Sequence, residues 1–224
     1  MVRFFSNWPA IYLRRILRLP NKVLTMRNGV TFYTPNILQT IPILSEIFQR
    51  RVYGSLDDLP RNPIILDVGA YVGTFAIYAA RLRPDATIYS FEPERSNFLA
   101  LEENLRANGI TNVRPINKAV GEKTEHRTLF VRGAGYGTNS LDQKMKSTSV
   151  AVTVECVSLA DFFAEYGIKR CDLLKLDCEG AEPEIYATLP PQVERVLIEW
   201  PRKMERPNVT VPTVFVPKGG LFYL

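Results

Sequence analysis

The chain has 224 residues, 46% hydrophobic and 23% charged, which excludes general disorder and suffices for one large core beneath a central sheet. Its formal charge is +5, but no block of about five like charges marks a nucleic-acid tail, and no nucleic-acid partner is expected. No apolar stretch nears the roughly 20 residues that span a bilayer, and the three cysteines (Cys156, Cys171, Cys178) lack CxxC or metal-ligand spacing. A sparse, odd cysteine set suits a reducing, cytoplasmic setting better than a disulfide framework.

The first twenty residues interleave Phe4, Phe5, Trp8, Ile11, Tyr12, Leu13, Ile16, Leu17 and Leu19 with Arg3, Arg14, Arg15 and Arg18. Arginines break the apolar run and no small-residue cleavage site follows, so this is not a signal peptide. The expectation is a helix packed on the rest of the chain, with peripheral contact to a membrane surface through residues 1–20 as the alternative. Asn28-Gly29 between Val23–Met26 and Val30–Tyr33 predicts a hairpin. Leu38, Ile41, Leu44, Ile47 and Phe48 have helical spacing within Ile37–Tyr53, against which Pro42 counts. Leu59–Pro63 then punctuates the chain, so residues 1–60 read as an accessory segment and 61–224 as the main domain.

From Ile64 onward strands alternate with helices. Ile64–Val68 is a continuous apolar run of the kind buried on both faces of a parallel sheet. A helix is predicted over Thr74–Leu82, a strand over Thr87–Phe91, and a helix over Arg95–Asn108 closed by Gly109, with Asn97, Glu102, Glu103 and Arg106 toward solvent. Strands follow at Val113–Asn117, Thr128–Val131 and Val150–Val154, then a helix from Ser158 to Tyr166 with Ser158 as its cap. Cys171–Leu176 and Arg195–Trp200 complete a set of βαβ units and an open twisted α/β sheet.

Ligands of such sheets bind at the carboxyl ends of the strands where the strand order reverses. Asp67-Val68-Gly69-Ala70-Tyr71-Val72-Gly73-Thr74 ends the first of these strands and opens a helix, and Glu92 ends the next. A carboxylate about twenty residues past the glycine loop is placed to grip ribose hydroxyls. The loop lacks the central glycine of the dinucleotide fingerprint, and Asp67 precedes its first glycine. Both features favour S-adenosylmethionine over a nicotinamide cofactor, whose oxidoreductase chemistry ranks behind.

Ile65–Phe75, Phe91-Glu92-Pro93, Ala119-Val120-Gly121 and Lys175-Leu176-Asp177-Cys178-Glu179-Gly180-Ala181-Glu182 together resemble the FkbM family of methyltransferases, in its order, from about residue 62 to 200. The resemblance implies a Rossmann-like class I methyltransferase sheet with helices on both faces and S-adenosylmethionine as cofactor. It also implies O-methylation of a sugar, glycolipid or natural-product acceptor. Carried over by position, Asp67, Gly69, Tyr71 and Gly73 belong to the cofactor loop, Glu92 to the ribose, and Asn117 through Ala119 to Val120 to the adenine.

An alcohol is a poor nucleophile until it loses its proton, so a base is sought near the methyl group. Asp177, at the end of the Cys171–Leu176 strand, is the preferred base and Glu179 the second candidate. Lys175, two residues earlier on the same face, is expected to pair with or orient Asp177. Glu182 reads equally as a helix-start carboxylate. Glu199 points at the same edge, but Trp200-Pro201-Arg202 stands where relatives carry a histidine; His126, the lone histidine, lies far along the chain. No metal is assigned. The loop Gly133–Ser140 is a candidate substrate lid or a plain turn, Tyr71 and Trp200 are candidate stacking platforms, and Thr213–Val216 with Leu221–Leu224 is a candidate terminal hairpin. Two alternatives stay open: a cofactor-binding or membrane-associated module without catalysis, and methylation at nitrogen or carbon.

Overall fold

A computed structural model describes residues 4–17, 22–131, 140–141, 149–200 and 205–216. The expected glycine-rich loop over 133–139, Pro201-Arg202, and the second arm of the terminal hairpin at Leu221–Leu224 lie outside the described residues. In chain order the elements are α1 (Trp8–Ile16), β1 (Val23–Thr25), β2 (Thr31–Tyr33), α2 (Ile37–Leu44) running into a π-helical turn (Ser45–Gln49), β3 (Ile64–Val68), α3 (Thr74–Leu82), β4 (Thr87–Phe91), α4 (Arg95–Ala107), β5 (Val113–Ile116), β6 (Ala119–Gly121), β7 (Glu125–Val131), β8 (Ser140–Leu141), β9 (Val150–Ser158), α5 (Leu159–Tyr166), β10 (Leu173–Leu176), α6 (Glu182–Ala187), β11 (Val196–Ile198) and β12 (Thr213–Phe215).

Six strands form the central sheet in the order β12-β11-β10-β3-β4-β5, every neighbouring pair parallel. The chain moves outward from β3 through β4 to β5, then returns to β10 and moves the other way. The order therefore reverses between β3 and β10, and their carboxyl ends frame the crevice in which such sheets bind ligands. Leu66, Val68, Leu174, Leu176, Val196 and Ile198 are buried on one face with α5 and α6, while Ile65, Ile88, Leu173 and Leu197 are buried on the other with α3 and α4. Burial on both faces is why these strands read as continuous apolar runs.

Local signals account for the helix ends. Glu94 caps α4 by accepting from the N–H groups of Ser96 and Asn97, and Gly109 follows it at φ +64°. Ser158 accepts from the N–H of Asp161 to cap α5. Pro42 lies inside α2 rather than ending it.

The accessory segment shares the core. Phe5, Ile11, Leu24, Phe32, Leu44 and Ile47 bury with Phe75, Phe98 and Leu101 of α3 and α4. Asn104 of α4 and Asn108 at its C-cap also serve as an edge for β2. Asn108 Oδ1 accepts from Thr31 N at 2.9 Å and its amide donates to Thr31 O at 2.7 Å. Asn104 Oδ1 accepts from Tyr33 N at 2.6 Å and its amide donates to Tyr33 O and Val72 O at 2.9 and 2.8 Å. Residues four apart on a helix face thus meet residues two apart on a strand. α1 turns Ile11 inward, whereas Tyr12, Leu13, Ile16 and Leu17 stay exposed.

Two expectations are extended by the structure and one is corrected. The strands expected at Thr128–Val131 and Val150–Val154 are present as β7 and β9, and they belong to a second, four-stranded sheet, β6-β9-β7-β8, in which the three-residue β6 is too short to leave a sequence pattern. β12 lies parallel to β11 as a sixth strand of the central sheet. Asn97 faces inward at 1% exposure, because α4 places it beside the buried Glu92 rather than at the solvent face. Among the described residues, no helix is long and apolar enough to cross a membrane.

Candidate active site

β3 and β10 pair in a register that sets Lys175 opposite Asp67. Lys175 Nζ lies 3.0 Å from Asp67 Oδ1 and donates to the carbonyls of Gly69 and Val68 at 2.7 and 3.3 Å. Burial alone pulls the ammonium down, but Asp67 and then Asp177 outweigh it and leave Lys175 held in its charged form. Asp67 is fully buried and does not line the cleft described below.

Gly69 is required by close approach. It sits at φ +79°, and a Cβ there would fall 1.9 Å from the carbonyl oxygen of Asp177. Gly73, at φ +85°, would drive a Cβ to 2.6 Å from Leu101 Cδ1, so it serves the packing of α3 on α4. Tyr71 also has positive φ, at 54°, and its hydroxyl lies 3.0 Å from that of Thr40 in the accessory segment.

Beside this loop a cleft is lined by Val68, Gly69, Tyr71, Phe91, Glu92 and Asn97, and further by Lys118, Ala119, Val120, Asp177 and Cys178. Glu92, 6% exposed, accepts from Tyr71 N at 2.9 Å, Glu94 N at 3.0 Å and the Asn97 amide at 3.5 Å. Burial pushes its carboxyl up to about 7 against the pull of these three donors. Asn117 does not line the cleft; its amide donates to the carbonyls of Glu92 and Pro93 at 2.8 and 3.1 Å and braces the turn that carries Glu92.

The end of β10 supplies the other carboxylates. Asp177, its side chain 28% exposed, lies 3.8 Å from Lys175 Nζ and accepts from the Tyr53 hydroxyl at 3.4 Å, both at Oδ2. Lys175 therefore pairs first with Asp67 and only secondarily with Asp177. Glu179 sits at φ 60° in the turn that follows. Glu182 is buried and accepts from Cys178 N at 2.7 Å and Gly180 N at 2.8 Å, so it closes that turn from within. Cys178 is a cleft-wall thiol held protonated, chiefly by burial and then by Glu182 and Asp177.

Gly69, Tyr71, Glu92, Ala119 and Asp177 thus come together on one cleft, with Asp67, Lys175, Gly73 and Asn117 beneath or beside it. His126 is exposed on β7, paired in register with Glu155 in the second sheet. Trp200 packs edge-on against Tyr186 and Phe215 and donates to Glu205 O, away from the cleft lining. Two residues that sequence reasoning missed are Asn97 and Tyr53. Asn97 was visible as the N3 position of a helix whose cap follows Glu92; Tyr53 left no signal, being 124 residues from Asp177.

The family described as the methyltransferase FkbM domain matches residues 67–199, from Asp67 to Glu199. Among curated relatives, Methyltransferase sdnD of Sordaria araneosa is 29% identical, over 80% of this chain and 82% of that one. The 31-O-demethyl-FK506 methyltransferase FkbM of Streptomyces tacrolimicus is 27% identical over 80% and 81% of the two chains. The 2-O-methyltransferase NoeI of Sinorhizobium fredii is 27% identical over 56% and 57%. The matched span exceeds half of the sequence and contains the whole cleft frame, and the chain belongs to the FkbM-domain methyltransferases, whose methyl donor is S-adenosylmethionine.

Proposed function

We propose that this methyltransferase acts on a hydroxyl oxygen of a sugar, glycolipid or polyketide-type small molecule, with Asp177 as the acceptor-side base. The observation that carries the reading is a partly exposed carboxylate, Asp177, on the same cleft as the buried Glu92. The names of two relatives, a 31-O-demethyl-FK506 methyltransferase and a 2-O-methyltransferase, support oxygen as the acceptor atom.

The cleft's chemistry fits the cofactor. Val68, Phe91 and Val120 offer apolar walls for a base, and Glu92 is an acceptor with about one lone pair left, on Oε2, for a ribose hydroxyl. When bound, S-adenosylmethionine supplies a methyl group on a sulfonium, already joined to a good leaving group. The protein's part is alignment and proton removal. In this reading Gly69, Tyr71 and Ala119 shape the cofactor's bed and Glu92 holds the ribose. Asp67, Gly73 and Asn117 fix the loops from behind. Asp177 receives the acceptor's hydroxyl proton, Lys175 is its cationic neighbour at 3.8 Å, and Glu179 flanks the acceptor.

The test is methyl transfer from isotope-labelled S-adenosylmethionine to a panel of hydroxylated sugars and macrolide alcohols, with the product identified by mass spectrometry. A methyl ether is expected, and Asp177→Asn lowers turnover by about 10²–10⁴-fold, the usual worth of a positioned base. A product methylated at nitrogen or carbon overturns the oxygen assignment. Undiminished turnover in Asp177→Asn overturns the base.

A further inference from the structure

We infer that Tyr53, a residue of the accessory segment, is the positioning residue for Asp177, fixing that carboxylate for its encounter with the acceptor; this rests on the reading of Asp177 as the base. The hydroxyl of Tyr53 donates to Asp177 Oδ2 at 3.4 Å, and Lys175 Nζ approaches the same oxygen at 3.8 Å from within the sheet. A hydrogen bond from one element and an ionic contact from another, both on one oxygen, bias the carboxylate's rotation.

The local backbone is arranged to deliver this ring. α2 ends in a π-helical turn, with Arg50 N bonded to Ser45 O, and Arg51 and Gly54 on either side of Tyr53 take positive φ of 51° and 76°. Such turns are uncommon and recur at functional sites. The Gly54 carbonyl is held by the Tyr78 hydroxyl at 2.5 Å, and the Tyr53 ring packs edge-on against Phe75 with centroids 4.9 Å apart. Both partners lie on α3, which starts directly behind the glycine loop. Tyr53 also lines a second cavity of about 420 Å³, bounded by residues 51–56 with Asp58, Leu173, Arg195, Leu197 and Val214. The ring therefore stands between that cavity and the Asp177 carboxylate.

The charges around the hydroxyl decide what it can do. Asp177 just past β10, Glu199 just past β11, Asp67 of β3 and Glu46 of the π-turn all act on it, with Lys175 beside Asp177. Burial first, and these carboxylates next, keep the phenol protonated far above neutral pH. Tyr53 is then a donor only, and the proton from the acceptor has to go to Asp177.

Two probes test this without knowledge of the acceptor. In protein labelled with ¹³C at aspartate side-chain carboxyls, the Asp177 resonance, assigned by its loss in Asp177→Asn, reports protonation. Tyr53→Phe removes a hydrogen bond to the charged form, so the Asp177 midpoint is expected to move up by roughly half a pH unit or more. Calorimetry with S-adenosylhomocysteine is expected to give a Kd within about twofold of wild type, because Tyr53 is not on the cofactor cleft. An unmoved Asp177 midpoint in folded Tyr53→Phe overturns the inference, as does loss of cofactor binding in that variant. Should Tyr53→Phe misfold, the ¹³Cζ tyrosine resonance of Tyr53 is followed in Asp177→Asn instead, where its shift supports the pairing and its constancy overturns it. With an acceptor from the panel above, Tyr53→Phe is expected to lower kcat about tenfold and move the acid limb of the pH profile upward. Failure of the base reading appears separately, as full turnover in Asp177→Asn.

Discussion

Lys175 and Asp67 face each other across adjacent parallel strands with 3.0 Å between Nζ and Oδ1, and neither side chain reaches solvent. Removing Asp67 leaves the buried Lys175 ammonium with only the more distant Asp177 carboxylate, 3.8 Å away, which costs somewhat less than the roughly 3–5 kcal/mol of a fully stranded charge. Asp67→Ala is therefore expected to lower unfolding stability by about that much in urea titration, and to loosen the Gly69 carbonyl that Lys175 holds. Cofactor binding falls with it, although Asp67 is not on the cleft. The double replacement Asp67→Asn with Lys175→Met is expected to be less damaging than the sum of the two single ones. Strict additivity would show that the pair does not act as a unit.

Glycine substitutions separate two kinds of constraint. Gly69→Ala puts a methyl group 1.9 Å from the Asp177 carbonyl, so β3 and β10 have to separate at their carboxyl ends. Gly109→Ala meets nothing within 4 Å and suffers only its φ of +64°, worth about 1–2 kcal/mol. Calorimetry should find S-adenosylhomocysteine binding abolished in the first and retained in the second. Retained binding in Gly69→Ala would mean the two loops are not rigidly apposed.

Glu92 makes opposite predictions for stability and for binding. Its folded value, about 7, lies above the ordinary 4.5, so the folded protein holds this proton more tightly than the unfolded chain. The stabilisation is full below about 4.5 and is lost as pH rises through 7, roughly 3 kcal/mol in all. Ribose hydroxyls donate to the ionised form, so affinity for the cofactor rises over the same interval. Melting and calorimetry from pH 5 to 8.5 should show both trends, and Glu92→Gln should flatten both. A binding curve indifferent to pH would remove Glu92 from the ribose.

Asn104 holds three backbone groups, of Tyr33 and Val72, inside the protein. Asn104→Ala strands them, at about 1–3 kcal/mol for each group that water cannot reach. Hydrogen exchange should then show faster amides in β1 and β2, with the central strands β3 and β4 unchanged. Equal acceleration throughout would instead mean that the hairpin and the sheet open together.

The central sheet was readable because its strands are buried on both faces, and Ile64–Val68 and Thr87–Phe91 stand in the structure with the predicted limits. The glycine loop and Glu92 were readable because a short connection ties them to those strand ends. Asn97 was misread because a polar residue on a helix is by default a solvent residue, and only the location of Glu92 makes it an interior donor. The second sheet was only partly visible: β9 begins at Val150 with exposed Val150, Ala151 and Val152 and becomes buried only at Cys156, so its pattern changes midway. Tyr53 and Asp177 meet only through folding of the accessory segment over β10, a relation no local pattern encodes.

The paired asparagines of α4 carry a further consequence. The same helix bears Asn97 at its first turn, beside Glu92, and Asn104 and Asn108 farther along, clasping the hairpin that leads into the Tyr53 segment. α4 thus works as a common spar, rigged at one end to the Glu92 side of the cleft and along its length to the segment that brings in the tyrosine. A graft that exchanges residues 1–60 for those of a relative, in the hope of changing the acceptor, would have to bring this helix along.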